Sequence, residues 1–312
     1  VPVALATPLR LGALVDALGG ALDAGLEDRE VTALLAPDEA GPDSALRPLF
    51  RARYLDALAP SGVLLLAEAL AARVPPGRRW LHPEPQLVLA SLLASGEGAP
   101  TDEREQAFLD PGARVASSAC VGAGAVVRSG VVIEEEVVVE PRVVLFPGVV
   151  LCRGVRVGAG SVLGRPGFGW VPGARGTTRM PHRGGVLVEE FADLGALCTV
   201  DAGVLTPTRI GPRARLDSHV HVGHNAQIGA DVHVAAQSGF AGSVRVEDGA
   251  MIGGQVGVAD HVTIGRGARL AARSGVIGDI PAGMTVAGYP AIERGRWLRA
   301  LARLFRSRPG SP

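Results

Sequence analysis

The sequence predicts a mostly β chain: a parallel β-helix of hexapeptide repeats, preceded by an α/β domain and followed by a C-terminal α-helix. Three observations predict it. Aliphatic residues recur every six positions at Val115, Val121, Val127, Ile133, Val139, Leu145, Leu151, Val157 and Leu163. A second ladder runs Ile210, Leu216, Val222, Ile228, Val234, Phe240, Val246, Ile252, Val258, Ile264, Leu270, Val276. A triangular coil of three short strands and three corners repeats at six residues, whereas an isolated helix or a hairpin sheet does not. Gly is abundant, at 43 residues, and aromatic residues make up only 4%, which suits tight corners around a narrow interior.

Residues 1–108 lack the period and form the N-terminal α/β domain. Leu9–Leu18 reads as an amphipathic helix ending at Gly19-Gly20, Val63–Leu66 as a buried strand and Pro85–Leu93 as a helix. Residues 109–284 form the coil. Positions i and i+4 of each hexad face inward, as at Ala125, Val131, Val137, Val143, Val149 and Val155, and i+2 faces out. Glycines at i+1, such as Gly122, Gly158 and Gly253, are expected to supply unusual corner dihedrals. The ladder breaks at residues 165–187, a Gly-, Pro- and Arg-rich segment that must loop out. Val188, Leu194 and Val200 resume it, and the step from Val200 to Ile210 carries four extra residues. The three runs hold 24 hexads, or eight coils, a prism of roughly 38 Å at the inter-strand spacing. Ile280-Pro281 is expected to end it. Residues 285–312 form the helical extension, with Trp297, Leu298, Leu301, Leu304 and Phe305 on one side and Arg294, Arg296, Arg299, Arg303 and Arg306 as positive charge.

The formal net charge is zero, so no polyelectrolyte field points to nucleic acid. There is no lysine, which excludes a Schiff base. Cys120, Cys152 and Cys198 are odd in number and widely spaced, which argues against disulfides or a thiolate zinc site and suits a reducing compartment. No basic leader or membrane-length apolar run stands out, so a cytoplasmic protein without a membrane span is expected.

The period also places side chains in space. His224 lies at i+2 of the Val222 hexad, Gly242 at i+2 of the Phe240 hexad, and His261 at i+3 of the Val258 hexad. These hexads belong to one face in three successive coils, about 5 Å apart. A neutral His can accept a proton near working pH. A neighbouring glycine N–H can hold a developing oxyanion, and the second His can bind or polarise substrate. That pattern suits acyl transfer. His219, His221 and His233 read as ordinary surface residues. The rival reading of the histidines is a zinc enzyme of carbonic anhydrase type, with His221, His224 and His261 joined across a trimer; a silent scaffold is a further alternative.

The run Leu216-Asp217-Ser218-His219-Val220-His221-Val222-Gly223-His224-Asn225-Ala226-Gln227-Ile228-Gly229 resembles the signature of the UDP-3-O-acyl-glucosamine N-acyltransferases of lipid A synthesis. Ala236–Gly239, Ile252–Gly257, Gly288–Ala291, Arg296–Arg299, Gly167–Trp170 and Met180–His182 match in order, as do Glu39–Pro42 and His82–Leu93. The resemblance implies a left-handed coil, a homotrimer with active sites between subunits, and no cofactor. Its co-substrates are a UDP-sugar and acyl carrier protein bearing a phosphopantetheine arm. It implies His224 as catalytic base, Gly242 as oxyanion amide, His261 as second histidine and Asp217 as the acidic residue associated with the base. Phe50 and Tyr54 would sandwich a uracil, and Arg294, Arg296, Arg299 and Arg303 would dock the acidic carrier. The chain departs from the family pattern at Ser218, Ala202 and Pro166, and its Phe50–Tyr54 segment is two residues shorter. A related acyltransferase acting on another sugar nucleotide is therefore the alternative substrate reading.

Overall fold

In the computed structural model, residues 3–94, 100–174 and 176–306 are described, except for the side chains of Ala4, Ala6, Phe305 and Arg306. Contacts divide the chain into two compact units at residues 99/100. The first unit is built on a mixed six-stranded sheet in the order Val3–Arg10, Glu30–Leu34, Ala45–Leu49, Val63–Leu66, Arg79–Leu81, Ala21–Leu22. Val63–Leu66 is buried throughout, as a central strand covered on both faces must be. A helix runs Leu11–Leu18 and stops at Gly19 and Gly20, whose φ angles are 90° and 95°. A second helix runs Pro85–Ala94, with proline at its first position. Asp23 accepts hydrogen bonds from the Arg79 side chain and from the Gly77 and Arg79 N–H groups. The Arg79 guanidinium is the main reason its carboxyl falls from 3.8 to about 2.

The second unit is the solenoid. Short strands stack in parallel into three faces. The first begins at Phe108–Leu109, the second at Arg114–Val115 and the third at Cys120–Val121. The register is 18 residues per coil, as in Val127↔Leu145 and Ile228↔Val246. Ladder residues from Val121 to Val276 are at most 5% exposed, and the i+4 set from Ala125 to Val155 is fully buried.

Three expectations change. The solenoid starts before residue 109, because Phe108–Leu109 already pairs with Val126–Val127 and Leu109 is a further rung. It also continues past Ile280-Pro281: Ile280 bridges Ile264, and Thr285–Ala287 pairs with Arg269–Leu270. The first and third faces each hold nine parallel strands, so there are nine coils rather than eight. Finally, the unusual dihedrals fall at i+3, not i+1. Thirteen non-glycine residues, among them His219, Asn225 and His261, have positive φ there. The i+1 glycines serve close stacking instead. A Cβ on Gly158 would lie 2.4 Å from the Gly195 carbonyl carbon in the next coil.

Ile292–Glu293 forms a short antiparallel strand instead of opening the terminal helix, which runs Arg294–Arg306. Glu293 accepts hydrogen bonds from the Gly295 and Arg296 N–H groups at the helix start, which hold its carboxyl below the usual range. All three cysteines are free. Cys198 is buried, whereas Cys152 is half-buried and its thiol is pushed up to about 11, chiefly by burial. Among the described residues, no helix is long and apolar enough to cross a membrane.

Gly158→Ala should destabilise the solenoid by about 1–3 kcal/mol through backbone collision. Gly278→Ala, with nothing within 4 Å of its Cβ, should stay within about 0.5 kcal/mol of the parent in urea unfolding. Because Asp23 has a folded pKa below its unfolded value, its stabilisation is complete above pH 3.8 and is lost as pH falls towards about 2. Asp23→Asn should therefore lower stability at pH 7 yet approach the parent near pH 2, as measured by denaturant unfolding across that range.

Candidate active site

Each coil turns three corners. The corner between the first and second faces carries His224, and every departure from the 18-residue register falls there. The step Leu163↔Val200 spans 37 residues and Val200↔Val222 spans 22. The final shortened step lies between Val276 and Ile280. The long insertion contains a hairpin of Trp170–Gly173 paired with Gly176–Arg179. The register thus concentrates irregular backbone beside one imidazole.

His224, Gly242 and His261 line one pocket of about 350 Å³ with Phe168, Asp201, His221, Gly223, Ala241 and Asp260. The structure therefore brings together the three residues expected from the period. His221 is not a bystander: its Nδ1 lies 2.7 Å from Thr199 Oγ1, and its Nε2 lies 3.9 Å from the buried carboxylate of Asp201. Asp201 occupies the i+1 position of the Val200 hexad, one coil below Gly223. Tracing the register through the four extra residues was the signal that could have found it.

The protonation pattern of His224 can be deduced from its neighbours. Val204 N–H donates to Asn225 Oδ1 at 3.0 Å, and Asn225 Nδ2 donates to Thr206. A backbone N–H requires an acceptor, so this amide oxygen must face Val204. His224 Nδ1, 3.2 Å from the same oxygen, must then be the protonated nitrogen. Nε2 is left with the lone pair, the form a general base needs. Asn225 suits its place, with φ at 60°, a conformation asparagine tolerates.

Gly242 offers the complementary group. At three other corners the i+2 N–H is capped by a carboxylate at i+1 of the preceding coil. Glu134 caps Arg153, Glu140 caps Ala159, and Glu247 caps Arg266. The residue in that position below Gly242 is Gly223, which has no side chain. Among the described residues, the Gly242 N–H donates to nothing. A Cβ on Gly242 would lie 2.6 Å from both Cε1 and Nε2 of His224. The glycine therefore permits both the imidazole and an uncapped donor.

Other expected residues fall elsewhere. Asp217 occupies the corner between the third and first faces, accepts the Ser218 N–H at 2.7 Å, and lines a separate groove of about 810 Å³ with Arg215, His233, Arg269 and Arg294. Within one chain it does not reach His224, because consecutive corners of a triangular coil point in different directions. The larger cavity is thus not the one where the imidazoles converge, and the smaller pocket has the reactive groups. Phe50 lines a pocket of about 460 Å³ at the start of the Pro85–Ala94 helix. Tyr54 does not line that pocket; it packs against the cluster of Leu49, Leu64, Leu66 and Val74, with Arg53 over its ring. Arg294 lines the groove, Arg299 lies 3.7 Å from Glu293, and Arg296 and Arg303 are exposed. Among the described residues, no group of three or more His, Cys, Asp or Glu is placed to hold a metal ion, so His221, His224 and His261 do not converge as ligands within one chain.

The fold is a parallel β-helix solenoid of hexapeptide repeats, a fold it shares with solved structures. The chain superposes on the UDP-N-acetylglucosamine acyltransferase from Campylobacter jejuni with a TM-score of 0.56 at 21% identity, covering 66% of this chain and 84% of that one. The Francisella novicida UDP-N-acetylglucosamine acyltransferase gives 0.55 at 21%, covering 63% and 72%. In sequence, the chain is similar to proteins named UDP-3-O-acylglucosamine N-acyltransferase. It is 55% identical to that of Sinorhizobium medicae over 146 residues, 46% of this chain and 41% of the relative. It is 36% identical to that of Rhodopseudomonas palustris over 145 residues, 46% and 39%. The chain thus matches less than half the length of these curated relatives. No protein-family model matches it.

Gly242→Ala, whose Cβ would push the His224 imidazole out of place, should lower turnover at this site by about 10²-fold, with circular dichroism unchanged. Steady-state rates of the two proteins would measure this.

Proposed function

We propose that the protein is an N-acyltransferase that moves a hydroxyacyl chain from acyl carrier protein to the 2-amine of a UDP-3-O-acyl-glucosamine. The observation that carries this reading is the close approach of His224 Nε2 to Gly242, whose added Cβ would lie 2.6 Å from it, in one pocket with His261. The amine nitrogen attacks the thioester carbonyl carbon while His224 Nε2 takes its proton. The Gly242 N–H stabilises the negative oxygen of the tetrahedral intermediate. Collapse breaks the C–S bond, and the imidazolium returns the proton to the departing sulfur. The products are an amide and the free thiol of the carrier.

His261, exposed at the rim of the pocket, would bind or polarise substrate. In a homotrimer, a neighbouring copy would bring Asp217 and its groove to the base, which one chain alone does not do. The exposed arginines Arg294, Arg296, Arg299 and Arg303 would meet the acidic surface of the carrier. A different UDP- or dTDP-amino sugar is the second substrate reading, favoured by a Phe50 pocket that Tyr54 does not line.

The test is an acyl-transfer assay with hydroxyacyl-carrier protein and a panel of amino-sugar nucleotides. His224→Ala should reduce kcat by about 10²–10⁴ without unfolding the coil, since its side chain lies outside the apolar interior. Full activity in His224→Ala, or no acylated product from any nucleotide with the parent protein, would contradict the reading.

A further inference from the structure

One buried imidazole has no part in the chemistry above. His182 lies on the segment looped out at the His224 corner and is 6% exposed. Its Nδ1–H donates to the Met180 carbonyl at 2.9 Å, so Nε2 carries the lone pair. That atom is buried and has no hydrogen-bond partner among the described residues. An unpaired buried acceptor is costly, and native structures hold few of them. The ring must supply something other than a second hydrogen bond.

What it supplies is contact with the base. The His182 and His224 rings meet edge to face, with centroids 4.9 Å apart and planes at 68°, a favourable geometry for flat rings. Two glycines of the same inserted segment make room for the pair. A methyl on Gly169 would stand 2.9 Å from His182 Cε1, and one on Gly167 would stand 3.1 Å from His224 Cβ and Cδ2. The His224 ring is therefore held at Nδ1 by Asn225, along its Cδ2 side by Gly167, along its Cε1–Nε2 side by Gly242, and edge to face by His182.

We propose that His182 is a positioning residue: the inserted segment folds back to wedge a flat ring against His224, fixing the plane in which Nε2 meets the Gly242 amide. The wedge acts through ring shape, not through the His182 nitrogens. Its effect on rate rests on the acyl-transfer reading, but its effect on the His224 ring does not.

The experiment is long-range ¹H–¹⁵N correlation of histidine side chains in the full chain, with His224 assigned by His224→Gln, alongside steady-state kinetics. In the parent, His224 should show a protonated Nδ1 and an unprotonated Nε2. In His182→Ala, the loosened ring should average between tautomers, and kcat should fall roughly 10- to 100-fold with KM nearly unchanged. His182→Phe, which keeps a flat ring without nitrogens, should restore the parent nitrogen signals and most of the rate. Gly169→Ala, which pushes the wedge aside while leaving it intact, should reproduce the alanine phenotype and carries the test if His182→Ala does not fold. Parent-like His224 signals in a folded His182→Ala protein would overturn the proposal, as would a His182→Phe protein that behaves like the alanine variant. Nitrogen shifts of the expected kind in a chain that acylates no sugar would sink the acyl-transfer reading and leave this one standing.

Discussion

The constraint on which the rest depends is the backbone hydrogen bonding that locks each coil to the next in an 18-residue register. Val126 N–H donates to the Val143 carbonyl and Gln227 N–H to the Val244 carbonyl, repeating along the prism. Neither slippage nor rotation is tolerated, because either would carry a buried aliphatic ladder into solvent. Residues remote in sequence therefore become neighbours by arithmetic alone. This is how His224, Gly242 and His261 come to share a pocket.

A perfect register would make every corner alike, and a site needs one that differs. The chain achieves this by placing all its irregular steps at the corner between the first and second faces. The four extra residues after Val200 bring Val204, Thr206 and Thr208 to Asn225, which fixes the His224 tautomer. The longer insertion brings Phe168 to the pocket mouth, where it is 85% exposed, and His182 to the imidazole. The absence of a side chain at Gly223 leaves the Gly242 N–H without the carboxylate cap found at three other corners. The ordered stack supplies rigidity, and local exceptions supply chemistry.

The regular part of this architecture was legible in the sequence because it is periodic. The aliphatic ladders specify strands, inward faces and the stacking of His224 on Gly242 and His261 without any coordinates. The exceptions were less legible, since a period says nothing about residues that leave it. His182 sits on a looped-out segment that no spacing rule reaches, and Asp201 is reached only by carrying the register through the four extra residues after Val200. The i+1 glycines were read as conformational devices, but their need is steric: the coils approach too closely for a Cβ. Phe108 and Val286 extend the solenoid beyond both expected ends, the latter hidden by a shortened step. Asp217 entered through resemblance, and within one chain it lines a different groove from the pocket that holds His224.

The account stands or falls on whether the lone pair of His224 and the amide of Gly242 face the same reacting atom. A crystal structure with a UDP-amino sugar and a non-hydrolysable acyl-pantetheine analogue tests this most directly. The expected result places the acyl oxygen about 2.7–3.1 Å from the Gly242 nitrogen and the sugar amine within hydrogen-bond reach of His224 Nε2. An acyl group seated away from that corner, with the Gly242 N–H turned to solvent, would contradict it.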